Sequence, residues 1–159
     1  MDENTFNAIF KEHRDAVYRY AHVLTRSTAA AEDIAQECFL SITNYDSTRG
    51  PVRAYLLGAV RRQAFKRFRN LARESEEADA TSQPADTASE VAVREAVESL
   101  PALQREAILL FHWEGYTLEE IAGMLDTEIG TVKARLSRAR ENLRSTLAPL
   151  GRSNGTSSR

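Results

Sequence analysis

One cysteine, four prolines and seven glycines are all that this 159-residue chain holds of the residue types that most constrain a backbone. The lone Cys38 excludes an internal disulfide and suits a reducing compartment. No apolar segment follows a basic start, and no run of about 18 apolar residues exists, which predicts a cytoplasmic protein without membrane insertion. His13, His22 and His112 stand at no metal-ligand spacing with Cys38 and read as packing or surface residues, and Cys38 itself sits on the apolar side of its helix. A phosphate-binding glycine loop and a nucleophile–base pair are also missing, so neither a cofactor nor catalysis is expected.

What is present is charge arranged in blocks. The formal net charge is only -2, yet residues 50–73 carry 7 basic groups and no acidic one, and residues 131–159 carry 7 basic and 1 acidic. Between them, residues 74–98 hold 8 acidic groups against 1 basic, and residues 99–130 hold 6 against 1. Two basic blocks separated by acid point to two contacts with a polyanion.

Apolar residues recur at helical spacing over most of the chain. Phe6, Ile9, Phe10, His13, Val17, Tyr20, Ala21 and Leu24 trace the face of a first helix. Ala31, Ile34, Ala35, Cys38, Phe39 and Ile42 trace a second, with Glu32 and Asp33 suited to its positive N-terminus. After the turn residues Asn44–Pro51, a third helix carries Val52, Tyr55, Leu56, Ala59, Val60, Ala64, Phe65 and Phe68 inward and ends near 69–73. Residues 73–90, "RESEEADATSQPADTASE", hold no aromatic or large aliphatic residue and predict a flexible acidic linker. Periodicity resumes at Val91, Val93 and Val97. After Pro101, Leu103, Ala107, Ile108, Leu110 and Phe111 form the next buried side. The expected fold is all-α: two small helical domains, residues 1–72 and 91–148, joined by the linker and followed by a disordered tail, 149–159.

The stretch "YTLEEIAGMLDTEIGTVKARLSRAREN", Tyr116–Asn142, reads as a helix-turn-helix. Thr117 and Glu120 make a capping box, so a helix starts at Leu118 and buries Leu118, Ile121, Ala122 and Leu125. Asp126 tolerates the left-handed backbone a tight turn needs. In the longer helix after Gly130, Val132, Leu136, Ala139, Leu143 and Leu147 form one inward stripe. The opposite face centres on Ala134, Ser137, Arg138 and Glu141, flanked by Lys133, Arg140 and Arg144 on one side and Arg135 on the other. Such a helix suits the major groove, with central side chains at base edges and cations on phosphates. Arg138, whose planar fork pairs two acceptors, is the candidate for a guanine. In the first domain, Arg61, Arg62, Lys66, Arg67 and Arg69 alternate with Tyr55, Phe65 and Phe68 on an amphipathic helix, which would line a polyanion. Membrane-surface binding has a similar pattern, but the second module favours nucleic acid.

The order of these motifs resembles the extracytoplasmic-function group of bacterial sigma factors. "AAEDIAQECFLSI" (Ala30–Ile42) and "STRGPVRAYLLGAVRRQAFKRFR" (Ser47–Arg69) look like their region 2, and Ser99–Leu147 looks like region 4 throughout. The resemblance implies partners: core RNA polymerase through its clamp helices and flap, promoter DNA, and the anti-sigma protein common in the group. It puts Asp33, Ile34, Gln36, Glu37 and Leu40 at the polymerase clamp. It puts the Asp46–Val52 loop, with Arg49, Arg53, Arg61, Arg62, Lys66, Arg67 and Arg69, at a melted minus-ten element, where a flipped base enters a pocket. Lys133, Ser137 and Arg138 match the positions that read the minus-thirty-five element, with Thr131, Ala134, Arg135, Arg140 and Arg144 around them. The linker would pass near the RNA path, its acids imitating a nucleic acid. Its roughly 20 residues reach at most about 65–70 Å, enough for a spacer of about 17 base pairs, which covers roughly 58 Å.

Three residues depart from the group's pattern. Tyr55 stands in place of tryptophan, Arg62 where asparagine is common, and Lys66 where aspartate or asparagine is common, so the group's usual minus-ten base preference does not carry over. Two other functions fit parts of the sequence. A stand-alone helix-turn-helix regulator would bind palindromic DNA without polymerase. A sigma mimic that sequesters an anti-sigma protein would lack the DNA-facing cations found in both domains.

Overall fold

A computed structural model describes residues 1–67 and 90–155, with side chains to Leu147. Phe68, Arg69, all of the predicted linker except Glu90, and residues 156–159 lie outside the described residues. Every described element is helical. The first bundle contains α1 (Glu3–Thr25), α2 (Thr28–Ser41) and α3 (Val52–Arg67). The second contains α4 (Glu90–Glu98), α5 (Ala102–Ile108), α6 (Leu118–Met124) and α7 (Ile129–Gly155).

Local chemistry sets the helix ends. Asp2 caps α1, accepting the Thr5 N–H at 2.7 Å, and Arg26 ends it in the left-handed region (φ 54°). Ser27 caps α2 through the Ala30 N–H at 3.2 Å. Because α2 starts at Thr28, Glu32 and Asp33 fall beyond its first turn, and the Ser27 hydroxyl does the capping expected of their charge. Val17, Tyr20, Ala21 and Leu24 of α1 pack with Ile34, Cys38 and Ile42, and with Leu57, Val60 and Ala64 of α3. Burying each of the valine, leucine and isoleucine side chains among them stabilises the fold by about 1.5–3 kcal/mol before chain entropy is counted. Leu57 joins this core although the predicted stripe omitted it.

In the second bundle α4 is turned away from the predicted face. Val91 and Val93 are 58% and 49% exposed, while Ala92 and Ala96 are buried. Small alanines let α4 lie close on α7, which the branched valines would hold off. After α5 the chain widens into one π-turn, Leu109–Trp113, closed by Glu114 N–H to Leu109 O at 2.8 Å. Gly115 follows with φ 78°, a conformation that favours glycine. The side-chain amide of Asn142 donates to Gln104 Oε1 at 2.8 Å and ties α7 to α5. α7 continues to Gly155, into the segment where the sequence predicts a disordered tail. The two bundles touch, α1 lying against α5.

Candidate nucleic-acid interface

The helix-turn-helix forms as its sequence predicts. Thr117 Oγ1 accepts the Glu120 N–H and the Glu120 carboxylate accepts the Thr117 N–H, both at 3.1 Å, completing the capping box that starts α6. Asp126 adopts φ 50° in the turn. Ile121, Ala122 and Leu125 are buried against Val132 and Leu136, whereas Leu118 is half-buried. With Val132, Leu136 and Ala139 inward, the outer face of α7 exposes Lys133, Ala134, Ser137, Arg138, Arg140 and Arg144. Thr131 and Arg135 are half-buried at its edges. Arg140 leans back onto the π-turn, its guanidinium 5.8 Å from the Phe111 ring and 3.2 Å from His112 Nε2. Arg138 and Lys133 form no ion pair among the described residues and stand clear for a ligand.

The basic side of the first bundle divides in two. Arg62 and Lys66 are exposed. The Asp46–Val52 loop is ordered by Asp46, whose carboxylate accepts the Thr48 hydroxyl and the Thr48 N–H, the latter at 2.9 Å, and is held below the usual range by the hydroxyl first and the N–H second. Tyr45 Oη donates to Gly50 O at 2.7 Å, and Gly50 has φ 87°. Arg49 lies over the Tyr55 ring at 5.9 Å. An open cleft runs from Arg49, Tyr55 and Arg62 to Tyr116, Glu120 and Met124 of the second bundle.

Arg53 and Arg61 are not free for a strand in this conformation. Arg61 Nε donates to Glu106 Oε2 at 2.9 Å, and Tyr20 Oη donates to the same oxygen at 2.5 Å. Burial opposes the Arg61 charge, but Glu106 outweighs it and raises the guanidinium pKa. Burial first, and Glu106 beside it second, push the Tyr20 phenol well above its ordinary range. Arg53 and Arg19 both donate to Glu114, Arg19 at 2.6 Å. Arg67 donates to Asp33 and Glu37 across the α2–α3 boundary, and the Asp33 hydrogen bond is the main cause of its raised pKa. Arg69 lies outside the described residues.

Of the predicted polymerase-facing set, Asp33, Gln36 and Leu40 are exposed, Leu40 at 74%, and Glu37 is half-buried. Ile34 differs, because it is fully buried under α2. Its place on the apolar stripe with Ala31 and Cys38 makes it a packing residue that holds the exposed face in position. The predicted stripe of α5 left out three polar groups that are buried, Gln104, Arg105 and Glu106, and beyond the π-turn the Glu114 side chain also has no exposed surface. Arg105 donates to the carbonyls of Val23 and Leu100, and burial lowers its pKa to about 10. One signal was readable. Leu103, Glu106 and Leu110 fall at i, i+3 and i+7, placing an acid on an apolar face.

Comparison with known proteins matches the same two bundles. The Sigma-70 region 2 family covers residues 9–74, and the Sigma-70, region 4 family covers residues 90–143. ECF RNA polymerase sigma factor SigL of Mycobacterium tuberculosis (strain H37Rv) is 31% identical over 158 residues, spanning 91% of this chain and 89% of SigL. EcfG of Rhodopseudomonas palustris is 33% identical over 135 residues, 78% of this chain and 75% of EcfG. SigE of Mycolicibacterium smegmatis is 30% identical over 161 residues; the match takes in 91% of this chain but only 62% of the longer SigE. Among solved structures, Bartonella quintana RpoE in complex with the anti-sigma factor NepR superposes with a TM-score of 0.69 at 25% identity, covering 91% of this chain and 97% of RpoE. Two sigma regions in order, carried on helices that leave a basic face outward, place this chain in the ECF sigma factors, the family that directs promoter recognition by RNA polymerase.

Proposed function

We propose that this sigma factor docks on the polymerase clamp helices through Asp33, Gln36, Glu37 and Leu40, and reads a bipartite promoter with its two basic faces. Exposed acids, an amide and a leucine on one helical face suit a basic, partly apolar partner. In region 4, Arg138 and Lys133 meet base edges and Ser137 and Ala134 allow close approach, while Arg144, Arg140, Arg135 and Thr131 hold phosphates. The flap of the polymerase carries this domain. In region 2, Arg49, Arg62 and Lys66 hold the melted minus-ten strand with Arg53, Arg61, Arg67 and Arg69, and the loop before α3 receives a flipped base. The single observation that carries this reading is the α7 face: Val132, Leu136 and Ala139 are 0–2% exposed while Lys133, Ser137 and Arg138 are outward.

Among the described residues no helix is long and apolar enough to cross a membrane. Promoter recognition places the protein with the chromosome, in the cytoplasm. The relative solved with NepR supports restraint of this chain by an anti-sigma protein. The test is run-off transcription with purified core polymerase on genomic fragments. Specific starts that require both core and this chain are expected. Tight operator binding by the lone protein, unaltered by core, overturns the proposal.

A further inference from the structure

Arg140 is held in place without being neutralised. Arg49, Arg53, Arg61 and Arg67 each meet a carboxylate, whereas Arg140 meets none among the described residues. Its two holds are uncharged: the Phe111 ring lies 5.8 Å from the guanidinium, and His112 Nε2 lies 3.2 Å from Nη2. A guanidinium only donates, so the Nε2 lone pair is the acceptor and the ring proton sits on Nδ1. The two rings brace each other edge to face, with centroids 4.9 Å apart at 89°. Backbone geometry puts them there. The π-turn is anchored by buried Leu109 and Leu110, and is closed by Glu114 N–H to Leu109 O at 2.8 Å and Tyr116 N–H to Leu110 O at 3.0 Å. Phe111 then packs half-buried on the core, while His112 is exposed beside α7. On α7 the match is one of register. Arg140 follows buried Leu136 by four residues, so its stem leaves the helix at the edge of the packed side.

We propose that His112, with Phe111 beside it, is a positioning residue for promoter binding: the pair holds the Arg140 guanidinium ready for a backbone phosphate at the flank of the α7 face. This rests on the reading of α7 as the helix that meets the upstream element, with Arg140 on a phosphate. A long exposed side chain must be ordered when it grips a phosphate, and ordering it beforehand removes that cost from binding. Whatever orders it must leave its charge intact. A carboxylate at position 112 would compete with phosphate oxygens for the same guanidinium edges, and a lysine there would repel the arginine. A neutral imidazole and an aromatic face do neither. The guanidinium carries five N–H donors and His112 takes one, so a phosphate can still be gripped through the fork by two others. Phosphate contacts fix how a protein sits on duplex without reading its sequence. A pre-set Arg140 therefore governs the entry of Arg138 into the groove, and its effect is felt equally on every promoter.

The experiment measures promoter binding by holoenzyme reconstituted with each variant, over a series of salt concentrations, on a promoter mapped by run-off transcription. Arg140→Ala is expected to weaken binding on every sequence and to lower the salt slope by about 1, the mark of one lost phosphate contact. His112→Ala is expected to weaken binding about two- to tenfold, the cost of ordering one long side chain, with the salt slope unchanged because the cation remains. His112→Gln, whose amide oxygen accepts at a similar reach, is expected to recover most of that loss. In the Arg140→Ala background, removing His112 is expected to cost nothing further. His112 is exposed, so every variant should keep the wild-type unfolding midpoint, which separates positioning from loss of fold. Losses that add in the double variant overturn the proposal, and so does His112→Gln as weak as His112→Ala. Tighter binding by His112→Ala overturns it as well, since His112 would then restrain Arg140 from DNA. The two readings fail separately. Loss from Arg140→Ala with none from His112→Ala sinks the positioning role alone, whereas no loss from Arg140→Ala sinks the phosphate contact and the positioning role with it.

Discussion

Region 4 and region 2 both present arginines on one helix, but in opposite states. On α7, Arg138 and Arg144 stand exposed across the helix from a stripe of Val132, Leu136 and Ala139. On α3, Arg62 and Lys66 are exposed, whereas Arg53 and Arg61 turn toward acids of the other domain. The difference is one of helical position. Arg61 follows Leu57 by four residues and precedes Ala64 by three, and both neighbours are fully buried, so its stem shares the apolar side. On α7, Arg135 lies between Val132 and Ala139 and is half-buried, and Arg140 follows Leu136 by four residues and leans back onto Phe111, whereas Arg138 has no buried residue three or four positions away. Arginine identity therefore says little about availability; its register against the apolar stripe says much more.

The largest expected effect sets the two regions directly against each other. Arg61→Ala removes the charge facing a fully buried Glu106 and leaves Tyr20 as its remaining partner. Breaking one side of a buried pair costs about 3–5 kcal/mol. The Arg61 side chain keeps 23% of its surface in water, which puts the expected loss nearer about 2–3 kcal/mol in urea unfolding. Arg138→Ala, on the open face, should stay within about 0.5 kcal/mol of wild type. Equal destabilisation by the two substitutions would erase the distinction between an ion-paired and an open arginine.

Within region 4 the comparison can be sharpened further. Arg138 lies near the centre of the exposed face and Arg144 lies a turn and a half later on its flank. Arg138→Ala should cost about 1–3 kcal/mol and relax preference at one position of the upstream element. Arg144→Ala should weaken binding evenly across sequences and reduce its salt dependence. A panel of single-base promoter variants, assayed with each mutant holoenzyme, separates them. A uniform loss for Arg138→Ala would move that residue among the phosphate contacts.

Much of this was legible before the structure. The capping box at Thr117, the left-handed Asp126 and the α7 stripe follow from local chemistry, and each appears where the sequence puts it. Stripes that depend on a neighbour are harder to read from spacing alone. Valine outranks alanine in hydrophobicity, yet Val91 and Val93 face solvent because close approach to α7 selects the small side chains. The resemblance puts Ile34 on a partner surface, whereas its spacing to Ala31 and Cys38 puts it in the core, where it is fully buried. The Glu106 and Glu114 contacts join residues 45 or more positions apart, so no local pattern could pair them. What could be read was each half of the anomaly: an acid on one apolar stripe and a cation on another.

The smallest expected effect concerns Arg67, which the sequence groups with the strand-holding cations and the structure binds to Asp33 and Glu37. Two of the proposed polymerase contacts are thus held by a region 2 arginine, and the same arginine cannot reach DNA while it holds them. Asp33 is 57% exposed and Glu37 42%, so water screens both pairs and their worth to folding is small. Arg67→Gln should leave the unfolding midpoint nearly unchanged. Its effect belongs to binding: freeing both acids should tighten core polymerase binding by about two- to fivefold, the scale of an exposed ion pair. The same variant should weaken strand holding in the open promoter complex, read by permanganate reactivity of unpaired thymines. Weaker core binding by Arg67→Gln would show instead that the arginine orients Asp33 and Glu37 for the clamp, and would move it from the DNA-binding face to the polymerase-binding one.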